Sequence, residues 1–289
     1  MDFYLAAVLQ GLCFSGLALG IYLSMKIFNI PDITTDGSYT LGGTVTGIML
    51  AAHIPQGFIL PAVLLSGGVA GGITGFIHTK LRINALLAGI LVMTALYSVN
   101  LTLMGRSNLP LLAFANLFGN WALTGSQGPD SLIVLLVITA ALVFLLGYVL
   151  RTDFGIAMRA TGNSESMVRA LGVNTDRMKI TGLAMANALT ATSGYLVVQL
   201  QGFADINMGI GIVITGLGSV VIGETIIRRF RVVQPVSVLA ILLAGAVLFQ
   251  LALAVTLTLG IDPTLLKLVT ALFVLLIVSL PRIFQSRTA

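Results

Sequence analysis

SLIVLLVITAALVFLLGYVL, residues 131–150, carries no charge from end to end, and Arg151 follows at once. A bilayer core is crossed by roughly 20 apolar residues in helical form. This stretch therefore reads as a membrane span, and the rest of the chain repeats its pattern. Residues 3–25 are free of charge up to Lys26. Residues 37–79 are too, but they are too long for one helix; His53, Pro55, Gln56 and Gly57 mark a turn that divides them. Lys80 and Arg82 close the second half, and 83–105 form another span. Residues 180–204 make a span with polar inclusions at Asn187, Gln199 and Gln201. The Gly-rich 206–226 stretch, holding Glu224, leads into Arg228, Arg229 and Arg231. Residues 232–259, with Pro235 near the start, and Thr264–Leu280, stopped by Pro281 and Arg282, complete the set.

The 289 residues are 57% hydrophobic and 9% charged, with a mean hydropathy of +1.05. Soluble domains carry about 25% charge, so a water-soluble fold is excluded. The predicted fold is a single all-α polytopic membrane domain, residues 1–289. It has about nine transmembrane helices, within a range of eight to ten, some of them broken or half-length. Threaded this way, thirteen of the fifteen cations fall on one side and only Arg106 and Lys267 on the other. Loop cations stay cytoplasmic, so the N-terminus is expected outside and the C-terminus inside, in a bacterial inner membrane. The same bias accounts for the pI of 9.7 without nucleic acid as a partner. No basic n-region precedes the first span, which is expected to be retained.

Residues 106–130 hold Asn108, Pro110, Asn116, Asn120, Gln127 and Pro129 and read as an external loop, with an interfacial helix around Trp121. Gly67, Gly68, Gly71, Gly72 and Gly75 form one small-residue face suited to close helix packing. Glu224 is expected near the cytoplasmic rim, paired with Arg228 or Arg229.

Two breaks stand out. Ile30-Pro31-Asp32-Ile33-Thr34-Thr35-Asp36-Gly37-Ser38 is polar and interrupts the helical pattern before the span at 39–52. It reads either as a connector with a capped helix, Asp36 being a good N-cap, or as a discontinuous helix lining a pathway. Ala204-Asp205-Ile206-Asn207-Met208-Gly209-Ile210-Gly211 is its counterpart: both place Asp-Ile ahead of a Gly and a helix. One enters the membrane from inside and the other from outside, as an inverted repeat would.

No Asp, Glu, Lys or Arg lies at the centre of a confident span, which speaks against ion coupling. His53 and His78 each stand alone, Cys13 lies in an apolar run, and no metal-binding or catalytic pattern occurs. The sequence therefore predicts no enzyme, no catalytic residue, no metal site and no cofactor of its own. Energy for uphill work must come from another subunit.

The longest charged segment is the cytoplasmic loop 151–179. Arg151-Thr152-Asp153-Phe154-Gly155-Ile156-Ala157-Met158-Arg159-Ala160 leads to Thr161-Gly162-Asn163-Ser164-Glu165, then Ser166-Met167-Val168-Arg169-Ala170-Leu171-Gly172-Val173-Asn174. Asn163 or Ser164 suits an N-cap and Gly172 a helix stop, with a helix of two turns between. Met167, Val168 and Leu171 are expected to share one face that needs a partner.

This loop resembles that of permease subunits of bacterial ABC importers of the branched-chain amino acid and sugar type. There the loop is the coupling helix that docks on a cytoplasmic ATPase. The resemblance implies ATPase contact by Gly155, Arg159, Glu165, Met167, Val168, Arg169, Leu171 and Gly172. Pro31-Asp32-Ile33-Thr34-Thr35-Asp36-Gly37-Ser38 is similar to the stretch found in the tryptophan and tyrosine uptake branch. The partners implied are cytoplasmic ATPase subunits, which bind the ATP and Mg, an external substrate-binding lipoprotein and a second permease copy. Pathway candidates are Asp32, Thr34, Thr35, Asp36, Ser38, Tyr39, Thr44, Asn100, Asn187 and Gln199. Such a weakly polar wall suits an aromatic or branched-chain amino acid. The competing readings are an ion-coupled secondary transporter and a channel; no filter-like carbonyl run or charged ring supports the latter.

Overall fold

The computed structural model describes residues 3–114, 117–119 and 127–285. In chain order the helices are α1 (Phe3–Cys13), α2 (Ser15–Ile21), a π-helical turn (Tyr22–Ile27), α3 (Thr34–Ala51), α4 (Gln56–Lys80), α5 (Ala85–Met104), α6 (Gln127–Arg151), α7 (Asp153–Asn163), α8 (Glu165–Ala170), α9 (Thr175–Gln201), α10 (Ile212–Phe230), α11 (Pro235–Thr258) and α12 (Leu266–Gln285). Two short strands, β1 (Asn108–Pro110) and β2 (Phe203–Asp205), pair antiparallel with Leu109 opposite Ala204. They clip the end of α5 to the end of α9.

Among the described residues, six helices are long and apolar enough to cross a membrane: Phe3–Ile27, Gln56–Lys80, Ala85–Met104, Gly128–Arg151, Thr175–Gln201 and Pro235–Thr258. They correspond to expected spans. α3 falls short of that standard because its start is polar, and α10 because Glu224, Arg228 and Arg229 charge its last turns. Trp121, Asn116 and Asn120 lie outside the described residues. The 106–130 segment differs from the expected plain loop in two ways. It contributes β1, and its last residues already belong to α6, where Pro129 sits in the first turn and costs no hydrogen bond.

The core forms around α9, against which α3 and α4 both pack while also packing on each other. The small-residue face of α4 lies on α9 as the sequence suggests. A Cβ at Gly67 would come within 2.7 Å of the Asn187 carbonyl oxygen, and one at Gly75 within 2.7 Å of Ile180 Cα; Gly71 meets the Leu183 carbonyl. Across the other interface, Gly42 seats against Ala191 and Gly194 against the Tyr39 carbonyl. Backbones this close leave no room for side chains, and van der Waals contact replaces them.

The π turn ends at Ile27 and delivers the chain to Phe28 and Asn29. Here α7 comes in: Gly162 lies against the Ile27 carbonyl, and Asn29 Nδ2 donates to the Gly162 carbonyl at 3.0 Å. The Phe28 ring packs on Gly182 of α9. Lys26 pairs with Glu224 of α10 at 2.8 Å. Glu224 also has Arg228 at 3.6 Å, so the expected partner is present and a second one, from another helix, is nearer.

Candidate functional site

The two breaks converge. α3 does not start at a side-chain cap, because Ile33 is its N-cap and Asp36 lies within its first turn. Instead Asp32 Oδ1 accepts from the Thr34 amide at 2.9 Å, an Asx turn that satisfies the helix start. Asp205 repeats it, accepting from the Asn207 amide at 2.8 Å. Asp36 caps a different helix: its Oδ2 accepts from the Gly211 amide at 2.9 Å and its Oδ1 from the Val213 amide at 3.0 Å. One carboxylate thus sits where two helix N-termini meet, with the positive ends of both dipoles around it. Lys267 adds a further positive charge in its surroundings.

The sequence-predicted pathway residues fall into separate groups. Asp32, Ser38 and Asn187 form a buried chain between α3 and α9. Asn187 Nδ2 donates to Asp32 Oδ2 at 2.7 Å, and Ser38 Oγ donates to Asn187 Oδ1 at 2.7 Å. Thr35 donates to the Asp32 carbonyl at 3.2 Å, and the Thr34 hydroxyl meets that of Thr74 at 2.8 Å. Tyr39 is buried with its ring 6.1 Å from that of Phe14, and Thr44 donates to Met104 Sδ at 3.3 Å. Gln199 sits near the β1–β2 clip, bonded to the Leu117 amide and to Gln56 Oε1, both at 2.9 Å. Asp36 and Asn100 alone among the ten line a common cavity, together with Gly37, Thr40, Met93, Tyr97, Ile206, Gly209 and Ile210.

Sequence reasoning passed over Thr40 and Tyr97; Gly209 lies within the second break that it singled out. Asp32 and Asp36, both named from the sequence as pathway candidates, are buried; they lie at and just ahead of the start of α3, not at the centre of an apolar run.

At the loop end, α7 is a helix the sequence reading did not separate. Thr152 caps it, its hydroxyl accepting from the Gly155 amide. Gly155 lies against the Val149 carbonyl, and Arg159 donates to the Leu150 carbonyl at 3.1 Å. α8 follows with Ser164 as N-cap, without a side-chain bond, and Gly172 at φ +86° ends it as expected. The face expected of Met167, Val168 and Leu171 is divided. Val168 is buried, while Met167 and Leu171 stand 64% and 72% exposed.

Glu165 ties α8 to α9, accepting from Lys179, from Arg169 at 3.0 Å and from Thr175 at 3.1 Å. The Lys179 hydrogen bond, aided by Thr175 and Arg169, holds its carboxyl below the usual glutamate range. Asp176 continues the network to Lys80 at 2.8 Å and Arg169 at 3.3 Å. These residues and Arg82 border an open polar groove of about 530 Å³ beside α8. Among the described residues no cluster of His, Cys, Asp and Glu could hold a metal.

Comparison with known proteins now adds to this geometry. Residues 3–279 match the family model described as branched-chain amino acid transport system / permease component. The chain is 36% identical to a tyrosine transport system permease protein of Clostridioides difficile, over 95% of this chain and 90% of that one. It is 25% identical to the ribose import permease RbsC of Haemophilus influenzae, covering 72% and 64% of the two chains. It is 30% identical to the autoinducer 2 import permease LsrC of Yersinia pestis, covering 72% and 58%. No solved structure matches. A helical bundle in which six of the described helices are long and apolar enough to cross a membrane, matched almost end to end by one family, belongs to the branched-chain amino acid transport permeases, the multi-pass inner-membrane subunits of ABC importers for small solutes.

Proposed function

We propose that two copies of this chain form the pathway of an importer for an aromatic amino acid, tyrosine being the first candidate. A cytoplasmic ATPase gripping α8 drives the pathway, and an external binding protein feeds it. The observation that carries the ATPase contact is the bare pair Met167 and Leu171 on a short helix locked from behind by Val168 and by the Glu165 network. A surface held this rigidly, yet with two large apolar side chains uncovered, suits a partner groove. Gly155, Arg159 and Gly172 shape that platform without facing the partner. The solute class follows from the tyrosine permease relative.

In this reading α3, α10 and α12 cross along with the six longer helices, giving nine crossings with the N-terminus outside. The matching Asx turns at Asp32 and Asp205, and the meeting of α3 and α10 at Asp36, support an inverted repeat. Alternating access then moves the two arms against each other as nucleotide binds and leaves. The chain has no chemistry to perform; ATP and Mg belong to the partner. Buried Asp36 would also suit an ion-coupled carrier, but family membership favours ATP.

The test is uptake of labelled L-tyrosine into proteoliposomes holding the permease, its ATPase and its binding protein. Uptake that needs ATP on the α8 side is expected. Uptake driven by a sodium or proton gradient with no ATPase present would overturn the reading.

A further inference from the structure

Asn100 is 1% exposed, its Nδ2 donates to the Gly37 carbonyl at 3.4 Å, and its Oδ1 has no partner. A buried acceptor without a donor costs about 1–3 kcal/mol, and among the described residues only Ser15 Oγ shares this condition. Asn100 borders the same cavity as Asp36. That carboxylate uses one hydrogen bond per oxygen on α10 and keeps further acceptor capacity. The cavity therefore offers acceptors from two elements, Asn100 on α5 and the Asp36 carboxylate on α3, the latter already shared with two α10 amides and with the field of Lys267. Its volume is about 30 Å³, counted as space for the centres of water-sized groups, of which one water needs about 10–15 Å³. A head group fits; a whole solute does not. Met93 and Tyr97 line the cavity on the α5 side, and Tyr97 is 45% exposed.

From this geometry we infer that Asp36 and Asn100 form a receptor for the protonated primary amine of the transported solute, with the rest of the solute lying outside against Tyr97 and Met93. A charged donor answers both the carboxylate and the orphan oxygen, and the aromatic ring beside the mouth favours cations and flat apolar groups. An acidic site open on one side cannot face lipid tails, so a second copy supplies the opposite wall. The inference rests on the amino-acid reading above for its solute, but its test does not.

The test uses the complete complex in nanodiscs, with Cys13→Ala to remove the native thiol and Met93→Cys, which lines the same cavity and leaves Asp36 and Asn100 in place, to report on it. Modification rates are measured with aminoethyl and sulfonatoethyl methanethiosulfonate, and their ratio is compared with that for free 2-mercaptoethanol. A preference for the ammonium reagent at least tenfold above the free thiol is expected, falling to the free-thiol value on adding Asp36→Asn. A ratio equal to or below the free-thiol value, or no reaction in either resting or ATP-cycling complexes, would overturn the site. L-Tyrosine should slow the ammonium reagent while 3-(4-hydroxyphenyl)propionate, which lacks the amine, does not. Charge preference without tyrosine protection upholds the amine receptor and removes tyrosine as its solute. Equal protection by both compounds overturns the receptor.

Discussion

Trimming Met167 and Leu171 to alanine together isolates what α8 gives to its partner. Alanine keeps the helix, being its best former, and neither side chain supports the fold, since 64% and 72% of their surfaces are bare. Fully burying a side chain of this size contributes about 1.5–3 kcal/mol. The uncovered part of each is then worth about 1–2 kcal/mol on docking. Both together come to about 2–4 kcal/mol, or roughly a 30- to 800-fold loss of ATPase affinity. Permease in nanodiscs titrated against its ATPase by interferometry measures this directly. Val168→Ala is the matched control. Being 4% exposed, it should lower the melting temperature through about 2 kcal/mol of lost burial and leave affinity nearly intact. If the double variant binds within threefold of wild type, or if Val168→Ala loses binding while remaining as stable as wild type, α8 does not dock through this pair.

Other expectations follow from the interior. Asn187→Leu strips partners from Asp32 and Ser38 at once and should cost about 2–4 kcal/mol, read as a lowered melting temperature; an unchanged value would refute the chain of bonds. Gly194→Ala puts a methyl onto the Tyr39 carbonyl; overpacking of about 1–3 kcal/mol is expected, with Ala191→Gly on the same helix failing to rescue it. Glu165 gains from being ionised in the fold, because its carboxyl is held below the ordinary range. Its contribution is present above the unfolded-state value and fades as pH falls through the lower folded one. Binding to the ATPase should thus stay flat from about pH 5 to 8 and weaken only below about 4, and a loss already near pH 6 would implicate another group.

Much of the architecture was legible because its signal is additive. Each long apolar run announces itself through many residues, and a stop at Lys26, Lys80 or Arg151 fixes its end. The glycine face of α4 was readable for the same reason, since period and size agree over residues 67–75. The candidate site was not, because it is made by long-range meetings. Asp36 looks like the cap of its own helix, and only folding brings Gly211 and Val213 to it. Likewise the 165–172 segment shows three apolar residues, but which of them turns inward depends on α7 and α9 behind it. The β1–β2 clip spans three residues on each strand, too few for alternation to register.

The contact between Gly162 and the Ile27 carbonyl has a mechanical meaning. With no side chain at Gly162, backbone rests on backbone, and the Asn29 amide holds the two together. No layer of rotatable atoms lies between them to absorb strain. A tug on the inner surface therefore travels as through a stiff rod, first to the Phe28 wedge in α9 and then along residues 28–33 to the first turn of α3. Under the proposed coupling to an ATPase, a displacement of α7 would pass to the start of α3 with little loss along this backbone contact.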